Sequence, residues 1–125
     1  MDFASLVEAT SMLGSGAVSV MVESTYLVKP QERISRFYFS ESCVQCTPCR
    51  EGTGWLYRML TRIVEGKGRP EDIDQLEEVS HKIEGRTISA LGDAAAMPVW
   101  RCIKTFRHEF EYYVEHKRSI IDNAA

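Results

Sequence analysis

Trp55-Leu56-Tyr57-Arg58-Met59-Leu60-Thr61-Arg62-Ile63-Val64 decides the fold. Trp55, Leu56, Met59, Leu60, Ile63 and Val64 recur at helical spacing, which draws one buried stripe along a helix and excludes the strict alternation of a strand. Outward from it, Gly66-Lys67-Gly68-Arg69-Pro70 breaks the pattern. Pro70, Glu71, Asp72 and Asp74 then open a second helix, because proline suits a first turn and carboxylates suit its positive dipole. Ile73, Leu76, Val79 and Ile83 mark the inner face of that helix, and Gly85 ends it.

Beyond a loop expected over 89–93, a last long helix is predicted from about Ala94 through Phe106, Phe110 and Val114. Pro98 falls within its first turns, where the ring is tolerated. Upstream, Pro30 marks the start of a helix with Ile34, Phe37 and Tyr38 on one face. About four helices with short connections imply an all-α fold, a small antiparallel bundle over 27–125. Residues 1–26 read differently. A short helical stretch around Phe3 to Ala9 leads through Gly14 and Gly16 into a β-branched run, Ala17 to Val22, which reads as a strand with no partner in this sequence. The expectation is a remnant of a preceding β-rich domain.

The chain has 125 residues, 15 Lys+Arg against 18 Asp+Glu for a net charge of −3, with 44% apolar and 26% charged residues. That is one small domain at most, too short for a multi-step enzyme. The acidic balance and the lack of any basic block argue against nucleic acid as a partner. No apolar run approaches the roughly 18 residues of a spanning helix, and Met1-Asp2-Phe3 lacks the basic start of a secretory signal, so no direct membrane insertion is expected.

The chemistry lies in Ser42-Cys43-Val44-Gln45-Cys46-Thr47-Pro48-Cys49-Arg50-Glu51-Gly52. Structural disulfides spread their cysteines to staple distant segments, whereas these three converge on one point, with Cys102 alone downstream. Metal in a reducing compartment is the better reading. A C-x2-C-x2-C loop can wrap three thiolates around one side of an iron–sulfur cluster. Zinc is the rival, but its structural sites usually take ligands as two separated pairs. Three idle thiols so close together would oxidise or collect stray metal.

With these residues in view, the sequence resembles the C-terminal iron–sulfur domain of the flavoprotein subunit of NADH:quinone oxidoreductase, respiratory complex I, shared with NAD-linked hydrogenases and formate dehydrogenases. The resemblance runs from about Phe3 to Glu111. It is carried by Ser11-Met12-Leu13-Gly14-Ser15-Gly16, by Glu41 through Gly52, and by Ile83-Glu84-Gly85-Arg86-Thr87-Ile88 with Ala90-Leu91-Gly92-Asp93-Ala94-Ala95. It implies a helical bundle holding one [4Fe–4S] cluster, with Cys43, Cys46 and Cys49 as ligands, relaying electrons from a flavin on a preceding domain to the next cluster. It also implies flavin/NADH-binding and iron–sulfur partners, and a location on the matrix side of the mitochondrial inner membrane or on the bacterial cytoplasmic face.

The family's fourth cysteine falls where this chain has Ser89, in Thr87-Ile88-Ser89-Ala90-Leu91-Gly92. A serine oxygen is a harder, less acidic donor than a thiolate, so a cluster held by it should be less stable and lower in potential. Cys102 is a second candidate for that place, set against its reading as a small buried hydrophobe. The family's loop usually has glycine where this chain has Val44, so a positive φ there would carry strain. No G-x-G-x-x-G segment or strand–helix alternation occurs, and no FMN or NAD site is expected on this chain. A Met placed where the resemblance is already under way suggests a truncated product, a split gene or an excised domain.

Arg50 has two readings, a charge aimed at the cluster or a surface pair with Glu51 or Glu41. His81, His108 and His116 read as solvated. Trp55, Trp100, Phe106, Phe110, Tyr112 and Tyr113 read as packing residues, with their excess on the last helix pointing to a docking face there. Three functions follow: an electron-transfer module, a cluster-deficient structural copy, and a zinc-stabilised interaction domain.

Overall fold

Amphipathic helices joined by short connections bury their apolar faces by folding back on one another. The computed structural model of the chain does this, and describes residues 2–9, 11, 13–14, 16, 18–22 and 24–118. The elements are α1 (Phe3–Glu8), α2 (Val28–Glu41), α3 (Thr47–Val64), α4 (Pro70–Ile83) and α5 (Leu91–His116). The four longer helices form the bundle: α2 packs on α3 and α5, α3 on α4 and α5, and α4 on α5. The all-α fold is therefore as expected, with α1 the short helical stretch at the start.

The strand expected over 17–22 is not formed. Among the described residues there is no strand, and Val18, Val20 and Val22 are exposed in an irregular segment; Ala17, like Met12 and Ser15 of the glycine turn, lies outside the described residues. The physical reason is the one that made the strand a loose end: a lone strand leaves its N–H and C=O groups without a ladder. Gly14 and Gly16 do take the positive φ expected of them, 52° and 79°.

The core is built from the predicted faces. Leu56, Leu60 and Ile63 of α3 meet Ile73, Leu76 and Ile83 of α4 and Ala96, Val99, Ile103, Phe110 and Tyr113 of α5, with Val28 from α2. The stripe on α3 is narrower than its spacing suggested, since Met59 and Val64 are only partly buried and Trp55 is 51% exposed. Asp72 is fully buried at the start of α4. It accepts from the Arg69 N–H at 2.8 Å and from Arg62 Nε at 2.9 Å, so its charge is compensated on both sides.

The last helix begins at Leu91 rather than Ala94. Asp93 thus sits in the first turn, where its carboxylate suits the dipole and accepts from the Gly85 N–H at 2.7 Å, tying the end of α4 to the start of α5. Pro98 consequently lies about two turns in, deeper than a start at Ala94 implies, and the helix runs on past it until Phe106 departs from helical angles (φ −124°, ψ 32°).

Candidate metal centre

The antiparallel path fixes which ends of the helices meet. The start of α3, the end of α4 and the start of α5 lie at one end of the bundle, and a shallow pocket of about 190 Å³ between Thr47, Pro48, Gly52, Val79 and Ile83 marks the seam of the first two. Glycine makes that seam close, since a β-carbon on Gly52 would clash with Ile83; at the start of α5, one on Gly92 would clash with Thr87 of the preceding loop. The cysteine turn, residues 43–49, and the loop that carries Ser89 therefore leave the bundle from the same end.

Within the turn, Cys46 is the N-cap of α3, and Pro48 occupies the first turn, where its missing N–H costs no helical hydrogen bond. No side chain caps this end and no acidic residue stands in its first turn, so the N–H groups of Thr47 and Cys49 keep their positive end toward the cysteines. Cys43 is exposed, Cys46 half-buried and Cys49 only 4% exposed. Two hydroxyls fasten the inner cysteine: Ser42 Oγ lies 3.3 Å from Cys49 Sγ, and Thr53 Oγ1 donates to the Cys49 carbonyl at 2.7 Å. Sequence reasoning missed both; a hydroxyl residue four positions after a helical cysteine was the available signal for Thr53.

Val44 has φ of +56°, the left-handed region that a β-branched side chain rarely enters. The turn thus keeps a glycine-type backbone while carrying valine. Among the described residues no three His, Cys, Asp or Glu side chains close on a single point, so the three thiols share one turn without forming a finished cage.

Ser89 is exposed. Its Oγ accepts from the Leu91 N–H at 3.4 Å and its carbonyl accepts from Thr87 Oγ1 at 2.7 Å, so its local role is to shape the approach to α5. Cys102 packs against the core from α5, and burial, followed by the charge of Glu109, pushes its thiol up to about 11. That is the behaviour of a small hydrophobe. Arg50 pairs with Glu51 at 2.7 Å, the surface pairing of its two readings. His81, His108 and His116 are all exposed.

The aromatic surface lies elsewhere than expected. Phe110 and Tyr113 are buried in the core, while the exposed aromatics among the described residues are Phe3 of α1, Phe37 and Phe39 of α2, and Trp55 of α3. No helix among the described residues is long and apolar enough to cross a membrane.

Three soft thiols at a helix N-terminus suit an iron–sulfur cluster, whereas Ser89, the position expected for a fourth ligand, offers only a hydroxyl, a harder donor. Comparison with known proteins supports an iron–sulfur cofactor. Residues 30–113 match the family model of the NADH-ubiquinone oxidoreductase-F iron-sulfur binding region. The chain is 53% identical over 115 residues to the F subunit of the NADH-quinone oxidoreductase of Rickettsia bellii (strain OSU 85-389), covering 92% of the chain and 28% of that protein. It is 54% identical over 111 residues to the mitochondrial NADH dehydrogenase [ubiquinone] flavoprotein 1 of Dictyostelium discoideum, covering 89% of the chain and 23% of that protein. The chain thus spans about a quarter of the length of these curated relatives. A helical bundle whose C-x2-C-x2-C turn opens α3, matched across more than half its length, belongs to the family of the NADH-ubiquinone oxidoreductase-F iron-sulfur binding region.

Proposed function

We propose that the chain is the electron-transfer module of an NADH dehydrogenase, holding one [4Fe–4S] cluster through Cys43, Cys46 and Cys49, with Ser89 at the fourth ligand position. When bound, the cluster supplies one-electron chemistry, taking electrons that come from a flavin and passing them to a further cluster. The chain's own residues do the holding. Three thiolates from one turn fix one side of the site. The uncapped N–H end of α3 favours the negative charge placed there, and Ser42 Oγ supplies a hydroxyl beside the most buried sulfur.

The observation that carries this reading is the placement of the cysteine turn at the N-terminus of α3 in a chain of this family. The flavin and NADH sites then belong to an adjoining domain or subunit of the same oxidoreductase, to which residues 1–26 form the connection. The whole assembly works on the matrix side of the mitochondrial inner membrane or on the bacterial cytoplasmic face.

A second reading, a cluster-deficient structural element, is favoured by the two departures at the site: the exposed hydroxyl of Ser89 turned to the Leu91 N–H, and the left-handed Val44. Iron and acid-labile sulfide per chain, with low-temperature EPR before and after dithionite on protein purified without oxygen, separates them. About four of each with a signal on reduction supports the relay; about three iron with a signal in the oxidised state means an open-site cluster. No iron assigns the structural role.

A further inference from the structure

The seam between α3 and α4 opens into a groove of about 470 Å³ whose walls include none of the three cysteines and not Ser89. Trp55, half exposed, stands at one end. Met59 and Val79, packed in part against the core, form an apolar middle, and Arg62 and Arg69 close the other end. The Arg58 guanidinium folds back over Gly54 toward the Trp55 end and has no acidic partner among the described residues.

The arginine end is preorganised. Asp72, fully buried, accepts from Arg62 Nε at 2.9 Å and from Arg69 Nη2 at 3.2 Å, so one carboxylate holds two guanidiniums and cancels only one of their charges. Arg62 Nη1 and Arg69 Nε and Nη1 are not used by Asp72, and the two side chains are 37% and 57% exposed. Glu78, the carboxylate on the groove wall, is paired with Lys82. In a chain of net charge −3, this wall thus sets four cations against two carboxylates.

An indole face, an apolar middle and a pair of anchored guanidiniums answer the three parts of a nucleotide: stacking on the base, cover for the sugar, and charge-assisted hydrogen bonds to phosphate. Trp55 and Arg62 stand two helical turns apart, about 10 Å along α3, which matches the reach from a base to its second phosphate. The volume falls in the range of small-ligand sites. No glycine-rich loop is needed, because side-chain cations rather than backbone N–H groups hold the phosphates.

We propose that the α3–α4 groove binds a nucleoside diphosphate, with Trp55 against the base and Arg62 and Arg69 on the phosphates. This site goes beyond the electron-relay reading and shares no ligand with it. A chain without iron would leave it standing, and its failure would leave the relay standing.

The test titrates ADP, without magnesium, into the full chain purified without oxygen, followed by calorimetry and by tryptophan fluorescence. One-to-one saturable binding with quenching of the indole is expected, at least about tenfold tighter than adenosine or pyrophosphate alone. Trp55→Leu should weaken ADP about tenfold and remove the quenching, with pyrophosphate unchanged. Arg69→Gln should weaken ADP and pyrophosphate about tenfold and leave adenosine unchanged. Both side chains are more than half exposed, and each variant decides alone should the other fail to fold. Lys104→Gln, exposed on α5 and outside the groove, should change nothing. ADP no tighter than its parts, or an unchanged affinity in either groove variant, would overturn the proposal. So would saturable binding of an Asp/Glu-rich peptide in place of ADP, which would make the groove a protein-docking face.

Discussion

A β-carbon on Gly52 would lie 2.6 Å from both Cγ1 and Cδ1 of Ile83, so the Ile83 side chain at the end of α4 packs directly on the Gly52 backbone near the start of α3. Neither neighbour can yield cheaply, because Gly52 is held one turn past the cysteines and Ile83 is buried in the core. Gly52→Ala should destabilise the fold by about 1–3 kcal/mol through overpacking, despite alanine's better helix propensity. Urea unfolding checks this. In an Ile83→Ala background the same substitution should cost much less, and equal costs in the two backgrounds would place the strain elsewhere.

Val44 offers the opposite case. Its φ of +56° puts a β-branched residue in the left-handed region, a conformation that costs an L-residue roughly 1–2 kcal/mol and glycine almost nothing. Val44→Gly should therefore raise the urea midpoint, although glycine normally lowers it through the entropy of the unfolded chain. A midpoint that falls would show that the valine side chain makes up its strain in contacts.

Cys102 gives a pH prediction. Its folded thiol is pushed up to about 11 from an ordinary value of 9.0, so the fold favours the neutral form. The contribution is complete below pH 9 and is lost as pH rises toward 11, where the unfolded chain ionises first. Stability should fall across that window, and Cys102→Ala should flatten the fall. At pH 8, iodoacetamide should modify Cys102 far more slowly than Cys43, which is exposed. Equal rates would mean that α5 opens at this point.

For the fourth ligand, Ser89→Cys should raise cluster yield and stability on anaerobic reconstitution, because a fourth thiolate completes the site. Cys102→Ala should leave the yield unchanged. A loss of cluster on Cys102→Ala would make Cys102 the ligand in place of Ser89.

The bundle was legible because its signals are local. The stripe from Trp55 to Val64 and the break at Gly66–Pro70 depend on spacing and turn chemistry that any short window carries. The start of α5 was misplaced by three residues because Asp93 is as good in a first turn as in a loop. Only its bond to the Gly85 N–H, eight positions back, decides between them. The lone strand failed for the converse reason, since strand formation rests on partners that a sequence window does not contain. At the site, the cysteine triplet declared itself by chemistry, and the resemblance raised the question of a positive φ at Val44, which the backbone answers. The Ser42 hydroxyl beside Cys49 was not, because a seven-residue separation across an irregular turn has no fixed geometry.

None of Cys43, Cys46 and Cys49 belongs to the packed cluster of Leu56, Leu60, Ile73, Leu76, Val99 and Phe110 that holds the four helices together. Shape and metal chemistry are thus written in separate sets of positions. An exchange at the exposed residue 89 would leave that packing untouched, so in this scaffold the form of the bundle is no guarantee of redox function.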